Sequence, residues 1–296
     1  MIRYRLPAGA EPPLTDVVGY VVEVGATLRI RTKQGDLVDV DMDDVVVLKE
    51  LSAVPVRTAD IRNLEHAAAL GWPGLEQRWL GGWLLRAAAG HTHRANSAVP
   101  LGFEADASAL PAIVDWYAER GLTPWLSLPD RLYRLADGEP HLETLVMART
   151  SVVTGERAAG VRLTAVPDDS WLEVYKRDVP VDVLTAVVDG KVVFGSIEDA
   201  AVGRAAVTTA PDGTRWVGLS AMRVDESQRR RGHARRLCDT LLAWGAELGA
   251  TRAYLQVLTE NTAATRLFES MGFHVQHRSR YLAAKAPQKG GGGVRR

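Results

Sequence analysis

Between positions 14 and 56 the chain alternates apolar and polar residues in short bursts. Asp16–Val24, Thr27–Thr32 and Leu37–Val40 are rich in Val, Ile and Thr, and Gly25 and Gly35 stand at the breaks. Such runs predict strands. Val38, Val40 and Met42 alternate with Asp39, Asp41 and Asp43, which puts one face inward and the other outward. Val45–Leu48 reads as a further strand. Four or five short strands packed into about forty residues predict a small closed barrel, because closure removes exposed edges.

The period then changes. Ile61, Leu64, Ala68 and Leu70 fall at helical spacing and predict a helix over 57–70, ended by Gly71–Gly74 with Pro73 inside. Trp79–Ala87 and Arg94–Pro100 read as strands joined by a turn near Gly90. Leu110–Arg120 is amphipathic through Ile113, Trp116 and Tyr117, with Gly121 placed to cap it. Pro124–Leu128 and Thr144–Thr150 are further strands. Beyond Trp171, Val183–Val188 and Lys191–Ser196 predict a hairpin across Asp189-Gly190. Arg204–Thr209 and Trp216–Val224 predict strands around the turn at Pro211-Asp212-Gly213. Gly232–Leu248 predicts a helix with its stripe at Ala234, Leu237, Cys238, Leu241, Leu242 and Leu248. A strand at Ala253–Val257, a helix at Thr262–Ser270, and strands at Phe273–Val275 and Arg280–Leu282 complete the order. Lys285–Arg296 holds four consecutive glycines and reads as a disordered tail.

Composition narrows the class. The chain has 296 residues, 46% hydrophobic and 24% charged, with a formal net charge of zero. That suits about two domains and gives no global attraction to nucleic acid or an anionic membrane. The single cysteine, Cys238, leaves no disulfide framework and fits a cytoplasmic setting. No secretory signal is legible at Met1–Ala10, and no run reaches the ~20 apolar residues of a membrane span. The histidine pairs His91/His93 and His274/His277 lack a Cys or carboxylate to complete a ligand set, so no metal site is expected. The acidic run Asp36, Asp39, Asp41, Asp43, Asp44 reads as a solvated strand face, or as a surface that attracts lysines.

The chemistry concentrates where strand Leu219–Val224 feeds Arg229-Arg230-Arg231-Gly232-His233-Ala234 and a helix begins. A helix N-terminus offers unpaired N–H groups and partial positive charge, so it suits a pyrophosphate. Gly232 and the small Ala234 let the backbone approach an anion. Arg229, Arg230, Arg231 and Arg235 add charge at the mouth. Alone, the same run also reads as a solvated charge cluster or a nucleic-acid patch.

The second half decides between these. Asn261-Thr-Ala-Ala264-Thr-Arg-Leu267-Phe268-Glu-Ser-Met-Gly272-Phe273 follows the strand that ends at Val257. The linked patterns Val-x-x-x-x-Arg-x-x-Gly-x-(Gly/Ala) and Asn-x-x-Ala-x-x-Leu-(Tyr/Phe)-x-x-x-Gly-Phe resemble the GCN5-related N-acetyltransferase (GNAT) superfamily over 171–283. The resemblance implies an α+β fold built on a mixed sheet and preceded by the all-β barrel, which is SH3-like. It implies acetyl-CoA as acyl donor, no metal, and a primary amine as acceptor, on a small molecule or at a protein lysine or N-terminus. The backbone of Met222, Arg223 and Val224 would pair with the pantetheine arm. Amides of Arg230, Arg231, Gly232, His233, Ala234 and Arg235 would hold the pyrophosphate, with Arg229 beside them. Asn261 and Phe268 would lie against the cofactor.

The acid and base of the family are not matched. A Tyr often found seven residues after the Asn is Phe268 here, and a Glu found five before it is Gln256. Glu226, Glu260, Glu269, His277 and Tyr281 are the nearby titratable groups. Tyr281 is the expected acid and Glu260 the companion candidate. Without either, the chain would be an acyl-CoA-binding or nucleic-acid-binding regulatory protein. Trp79–Arg86 and Arg94–Pro100 resemble the degenerate first lobe of two-lobed members, which lacks the pyrophosphate loop. The expected division is a barrel at 1–56, a degenerate lobe at 57–150, a catalytic domain at 151–285 and a tail at 286–296. Barrel plus lobes resembles actinobacterial members of histone-acetyltransferase-like type, which would imply a basic protein or peptide as acceptor.

Overall fold

A computed structural model describes all residues except 8, 33, 49–55, 135–139, 153–156 and 285–296. The expected tail lies outside the described residues. The chain divides into two compact units, Met1–Val56 and Arg57–Arg296.

The first unit is all-β. β1 (Ile2–Arg5), β2 (Leu14–Val17), β3 (Gly19–Val24), β4 (Thr27–Thr32), β5 (Leu37–Asp41) and β6 (Val45–Leu48) form two three-stranded antiparallel sheets, β2-β1-β6 and β3-β4-β5. The run read as one strand over 16–24 is split between the two sheets at Val18. Ile2, Val17, Leu28, Ile30 and Val40 close the core between them. Gly19 is required there, since a Cβ would sit 2.2 Å from the Arg31 carbonyl oxygen. The acidic run is partly neutralised within the unit. Arg29 grips Asp39 through two bonds of 2.8 and 3.0 Å, and Asp41 accepts the Asp43 amide.

The second unit holds α1 (Thr58–Gly71), β7 (Glu76–Leu80), β8 (Trp83–Ala87), β9 (Ser97–Pro100), α2 (Leu110–Ala118), β10 (Trp125–Pro129) and β11 (Leu142–Arg149). β12 (Arg162–Thr164), α3 (Asp169–Tyr175), α4 (Val181–Thr185), β13 (Lys191–Ile197), β14 (Ala201–Thr209) and β15 (Arg215–Val224) follow. α5 (His233–Glu247), β16 (Arg252–Leu258), α6 (Thr262–Glu269) and β17 (His274–Ala283) end it. The strands make one eleven-stranded sheet in the order β12-β13-β14-β15-β16-β11-β17-β10-β9-β8-β7.

Two parallel pairs, β9–β10 and β15–β16, interrupt an otherwise antiparallel sheet. Each needs a crossover helix, α2 in the first half and α5 in the second. β11 follows β10 in the chain yet pairs with β16, while β17 pairs with both β11 and β10. The two halves therefore trade strands, and neither sheet half is closed without the other.

Strand alternation sorts the core. On one face α5 packs Leu237, Cys238, Leu241 and Leu242 against Val193, Ala205, Val217 and Leu255. On the other, α1 sets Leu64, Ala67 and Ala68 against Val146, Trp216 and Tyr254, and α3 and α4 pack with Trp72, Phe194 and Val202. Cys238 has no exposed surface, and burial pushes its thiol up to about 12. The native protein is therefore expected to resist alkylation at pH 8 and to take up one label only in denaturant. Full labelling of the folded protein would contradict this packing.

Three expected elements are corrected. Val183–Val188 is not a hairpin strand: Val181–Thr185 is a helical turn that starts at Pro180 and buries Val183 and Leu184. Pro180 presets a helical entry, and the burial is on a helical face. Asp189-Gly190 does turn the chain, but into β13 alone, and a Cβ on Gly190 would sit 2.3 Å from the Val207 carbonyl. The single strand expected over 79–87 is instead the hairpin β7–β8, turning at Gly81-Gly82, and the two terminal strands are one continuous β17.

Candidate functional site

β15 and β16 are in register from Trp216↔Arg252 to Leu219↔Leu255 and then part. Beyond that point Ser220–Val224 stay on β14, through Arg204↔Ser220, Val202↔Arg223 and Ala201↔Val224. The β16-facing backbone of this segment has no strand partner. A bulge opposite, between Val202 and Arg204, and a left-handed Ala221 (φ 51°) mark where the strand bends away. A left-handed alanine costs about 1–2 kcal/mol, and strain of this kind tends to be kept at functional sites. Met222, Arg223 and Val224 thus lie along one open lip. Gln256 and Leu258 lie along the other, half-buried.

The chain leaves β15 through Asp225. Its carboxylate holds Lys176 Nζ at 2.9 Å and the Ser227 hydroxyl and amide at 2.7 and 3.0 Å, and these bonds pull its pKa far below the usual carboxylate range. The loop then turns twice through left-handed residues, Arg230 (φ 65°) and Gly232 (φ 81°). Gly232 is the N-cap of α5 and supplies no side-chain cap, so the first amides of α5 stay open. Nothing lies within 4 Å of where a Cβ on Gly232 would point. Room, open donors and a helix dipole coincide there.

The arginines divide their work. Arg229 reaches Glu226 at 3.2 Å, an exposed pair of little energetic weight. Arg235 donates to the Ser270 hydroxyl and joins α5 to the end of α6, and Arg236 donates to the Ala159 carbonyl. Arg230 and Arg231 are exposed and have no partner among the described residues. The Nδ1 of His233 is buried without a partner.

The other expected residues are spread more widely. Asn261 caps α6, its Oδ1 accepting the Ala264 amide at 3.1 Å, which leaves its amide nitrogen and one lone pair of Oδ1 for a ligand. Phe268 is buried and packs edge-on to Phe273 at 5.8 Å. Glu260 is exposed just past the end of β16. Tyr281 stands opposite Leu142 on β17, with β11 between it and β16. At the usual strand spacing that is roughly 10 Å from β16. Its ring lies against His93 at 5.6 Å, in a cluster with Trp125 and His141. The structure does not gather Tyr281, Glu260 and the loop into one constellation.

It gathers a different set on the α1 face. His277 Nε2 lies 2.8 Å from Glu65 Oε1, both residues buried, and its Nδ1 lies 2.9 Å from Gln276 Oε1. Arg204, fully buried, donates to the carbonyls of Leu184 (2.6 Å), Gly71 (2.9 Å) and Ala186 (2.9 Å) and to the Ser220 hydroxyl (3.2 Å). Burial pulls its pKa down to about 9, so it remains charged at neutral pH. Arg86, also buried, is held by the carbonyls of Trp72 and Ser97 and by the Ser97 hydroxyl. The one signal of these in sequence is an arginine set in an apolar strand, as in Val202-Gly-Arg204-Ala-Ala and Trp83-Leu-Leu-Arg86-Ala. Among the described residues there is no group of three or more His, Cys, Asp or Glu fit to hold a metal ion. No described helix is long and apolar enough to cross a membrane.

Two parallel strands that part at mid-length, with a glycine-started helix crossing between them, define a GNAT-type acetyltransferase fold. A solved GCN5-related N-acetyltransferase from Kribbella flavida shares it, with a TM-score of 0.55, 18% identity and coverage of 76% of this chain and 95% of that one. The family described as "Probable histone acetyltransferase Rv0428c C-terminal" matches residues 58–282, and the "Rv0428c N-terminal Sm-like domain" matches residues 1–49. The chain belongs to this Rv0428c family and is an acetyltransferase of the GNAT type. It is 52% identical to the probable histone acetyltransferase Rv0428c of Mycobacterium tuberculosis, over 96% of this chain and 94% of that protein. It is 27% identical to the uncharacterized N-acetyltransferase YobR of Bacillus subtilis, over 72% of this chain and 94% of that one.

Proposed function

We propose that the protein transfers an acetyl group from acetyl-CoA to a primary amine by direct attack. The observation that carries this reading is the open lip of β15 beside the uncapped start of α5. The backbone of Met222, Arg223 and Val224 is free to pair with an extended amide-bearing arm and to polarise a thioester carbonyl. Arg230 to Arg235 present amides and charge to a pyrophosphate, and the space beyond Gly232 admits it. Asn261 contributes through its amide nitrogen. Phe268 contributes from the core, holding α6 against Phe273.

The amine nitrogen attacks the thioester carbon, the carbon–sulfur bond breaks, the sulfur takes a proton and the nitrogen loses one. In this reading Glu260, exposed just past the end of β16, passes a proton to solvent. Tyr281 acts through a substrate or water that spans the distance from β17. We propose that residues 57–150 form a lobe that shapes the acceptor side and holds no second cofactor, since the loop Leu101–Ala109 before α2 lacks the Arg-x-x-Gly-x-Ala pattern. A cytoplasmic setting fits this reading.

Millimolar acetyl-CoA is expected to raise the melting temperature by about 5 °C, from about 2–3 kcal/mol of linked binding. An unchanged melting curve would sink the cofactor reading. Release of CoA with a mixed panel of amines tests transfer separately.

A further inference from the structure

The open lip of β15 begins at a hydroxyl. Trp216, Val217, Gly218 and Leu219 are buried, and from Ser220 to Val224 every residue is half-buried. The change falls one residue past Leu219↔Leu255, the last β15–β16 pair. Continued by one step, that register would set Ser220 across from Gln256, which is half-buried as well. Both side chains lie on the α1 face. Ser220 is placed there by its bond to Arg204, which also holds the end of α1, and Gln256 by strand alternation from Tyr254.

Ser220 is held in one role. Its Oγ lies 3.2 Å from Nη1 of Arg204, and a guanidinium can only donate. The hydroxyl oxygen therefore accepts, and its own O–H has no acceptor among the described residues. Arg204 is fully buried and fixed by the carbonyls of Gly71, Leu184 and Ala186. A hydroxyl polarised from behind by a buried cation is a stronger donor than the same group in water.

The position of Ser220 suits the reacting end of the donor. An arm that starts at the α5 amides and pairs along Val224, Arg223 and Met222 runs toward the point where the strands part. Four residues of strand, about 13 Å, separate Val224 from Ser220. The two positions where the family carries acid and base hold Phe268 and Gln256, neither of which titrates. Side chains at the parting point can therefore act on the charge that develops on oxygen rather than on the proton.

We propose that Ser220 is a catalytic residue whose hydroxyl, with Arg204 behind it, donates a hydrogen bond to the thioester carbonyl oxygen and to the oxyanion formed there. As the amine nitrogen bonds to the carbonyl carbon, the C=O π pair moves onto oxygen. The Ser220 O–H meets that charge beside the backbone amides of the lip. When the oxyanion collapses, the carbon–sulfur bond breaks and the sulfur leaves with the pair. The proton that the nitrogen loses balances the one that the sulfur takes, and Ser220 keeps its own throughout. Arg204 is a positioning residue that acts through Ser220. The assignment rests on the acetyl-transfer reading above and holds whichever amine is the acceptor.

The test uses the full-length chain and acetyl-CoA labelled with carbon-13 at the thioester carbonyl, read by isotope-edited infrared difference spectroscopy. On binding to the parent, the C=O band is expected to move to lower frequency. In Ser220→Ala it should return toward its position in free acetyl-CoA. In Ser220→Thr, which keeps a hydroxyl, it should stay near that of the parent, and in Arg204→Lys it should lie between. Acetyl-CoA affinity by calorimetry should stay within about 10-fold of the parent in both Ser220 variants, the worth of one neutral hydrogen bond. With a lysine-rich peptide or ethylamine as acceptor, kcat should fall about 100-fold in Ser220→Ala, the cost of one oxyanion donor, and largely recover in Ser220→Thr. The bond to Ser220 is one of four that Arg204 makes, so Ser220→Ala should melt within about 4 °C of the parent. Arg204→Lys and Ser220→Thr carry the same spectral comparison if Ser220→Ala does not fold. One carbonyl band shared by the parent, Ser220→Ala and Arg204→Lys, each with acetyl-CoA bound, overturns the assignment, as does an unchanged kcat in Ser220→Ala. A parent chain that binds no acetyl-CoA overturns the cofactor reading, and this assignment with it.

Discussion

Gly232→Glu is expected to abolish the acetyl-CoA-induced rise in melting temperature while leaving the unliganded protein folded. Two effects act together at this position. Gly232 has a φ of 81°, which a side chain tolerates at a cost of about 1–2 kcal/mol. That cost alone is modest, because nothing lies within 4 Å of the new Cβ and no core contact is disturbed. The second effect is larger. The carboxylate would sit at the start of α5, where it satisfies the open amides and the helix dipole itself. A pyrophosphate would then meet an occupied, negatively charged cradle. The affinity for acetyl-CoA should fall by about 100-fold or more, equivalent to about 3 kcal/mol. Gly232→Ala separates the terms: it carries the backbone strain without the charge and should keep much of the shift. Titration calorimetry and thermal melting read both variants. A Gly232→Glu protein that keeps the full acetyl-CoA shift would show that the anion is held elsewhere.

This site was the most legible part of the sequence, and the reason is local. β15, the basic loop, α5, β16 and α6 are consecutive, and each announces itself within its own residues. The apolar stripe from Leu237 to Leu242 sets the buried face of α5. The glycine after three arginines marks a left-handed start, and Asn261 caps α6 from its own N-terminus. What was not legible is what depends on distant partners. Val183–Val188 carries strand-forming residues, yet burial under the sheet makes its first three residues the end of a helix and leaves the rest irregular. α3 and β1 gave no strong periodic signal. The trade of β11 and β17 between the two halves is a matter of register across more than a hundred residues.

The same holds for the chemistry on the α1 face. Glu65 and His277 lie 212 positions apart, and no spacing rule joins them. Tyr281 was the expected acid because a terminal strand beside α6 could carry it back to the cofactor. The sheet order places β11 between β17 and β16, and so moves the ring to His93, Trp125 and His141. The acidic run in the barrel reads as a solvated strand face or as a surface that attracts lysines, and within it Arg29 binds Asp39. Charge read along a chain does not show which carboxylates folding pairs.

Arg204 gives the largest expected effect on stability. Arg204→Met keeps a similar volume and removes the charge, and replacing a buried ion by an apolar side chain is often neutral or stabilising. Here it should not be. The guanidinium is the partner of three carbonyls that belong to two separate segments: Gly71 at the end of α1, and Leu184 and Ala186 at the end of α4. A methionine leaves those oxygens buried and unsatisfied, and each such group costs about 1–3 kcal/mol. Some will recover a water, so a net loss of about 3–5 kcal/mol is expected. At about 2–4 °C per kcal/mol for a unit of this size, the melting temperature should drop by roughly 10 °C. Arg204→Lys keeps the charge but not the fork, and can serve at most part of the set. It should fall between the parent and Arg204→Met. Because Arg204 also donates to Ser220, the lysine variant tests the site as well: its kcat should fall while its acetyl-CoA affinity, set at α5, holds. Thermal melts within about 2 °C of the parent for Arg204→Met would show that the three carbonyls find other partners.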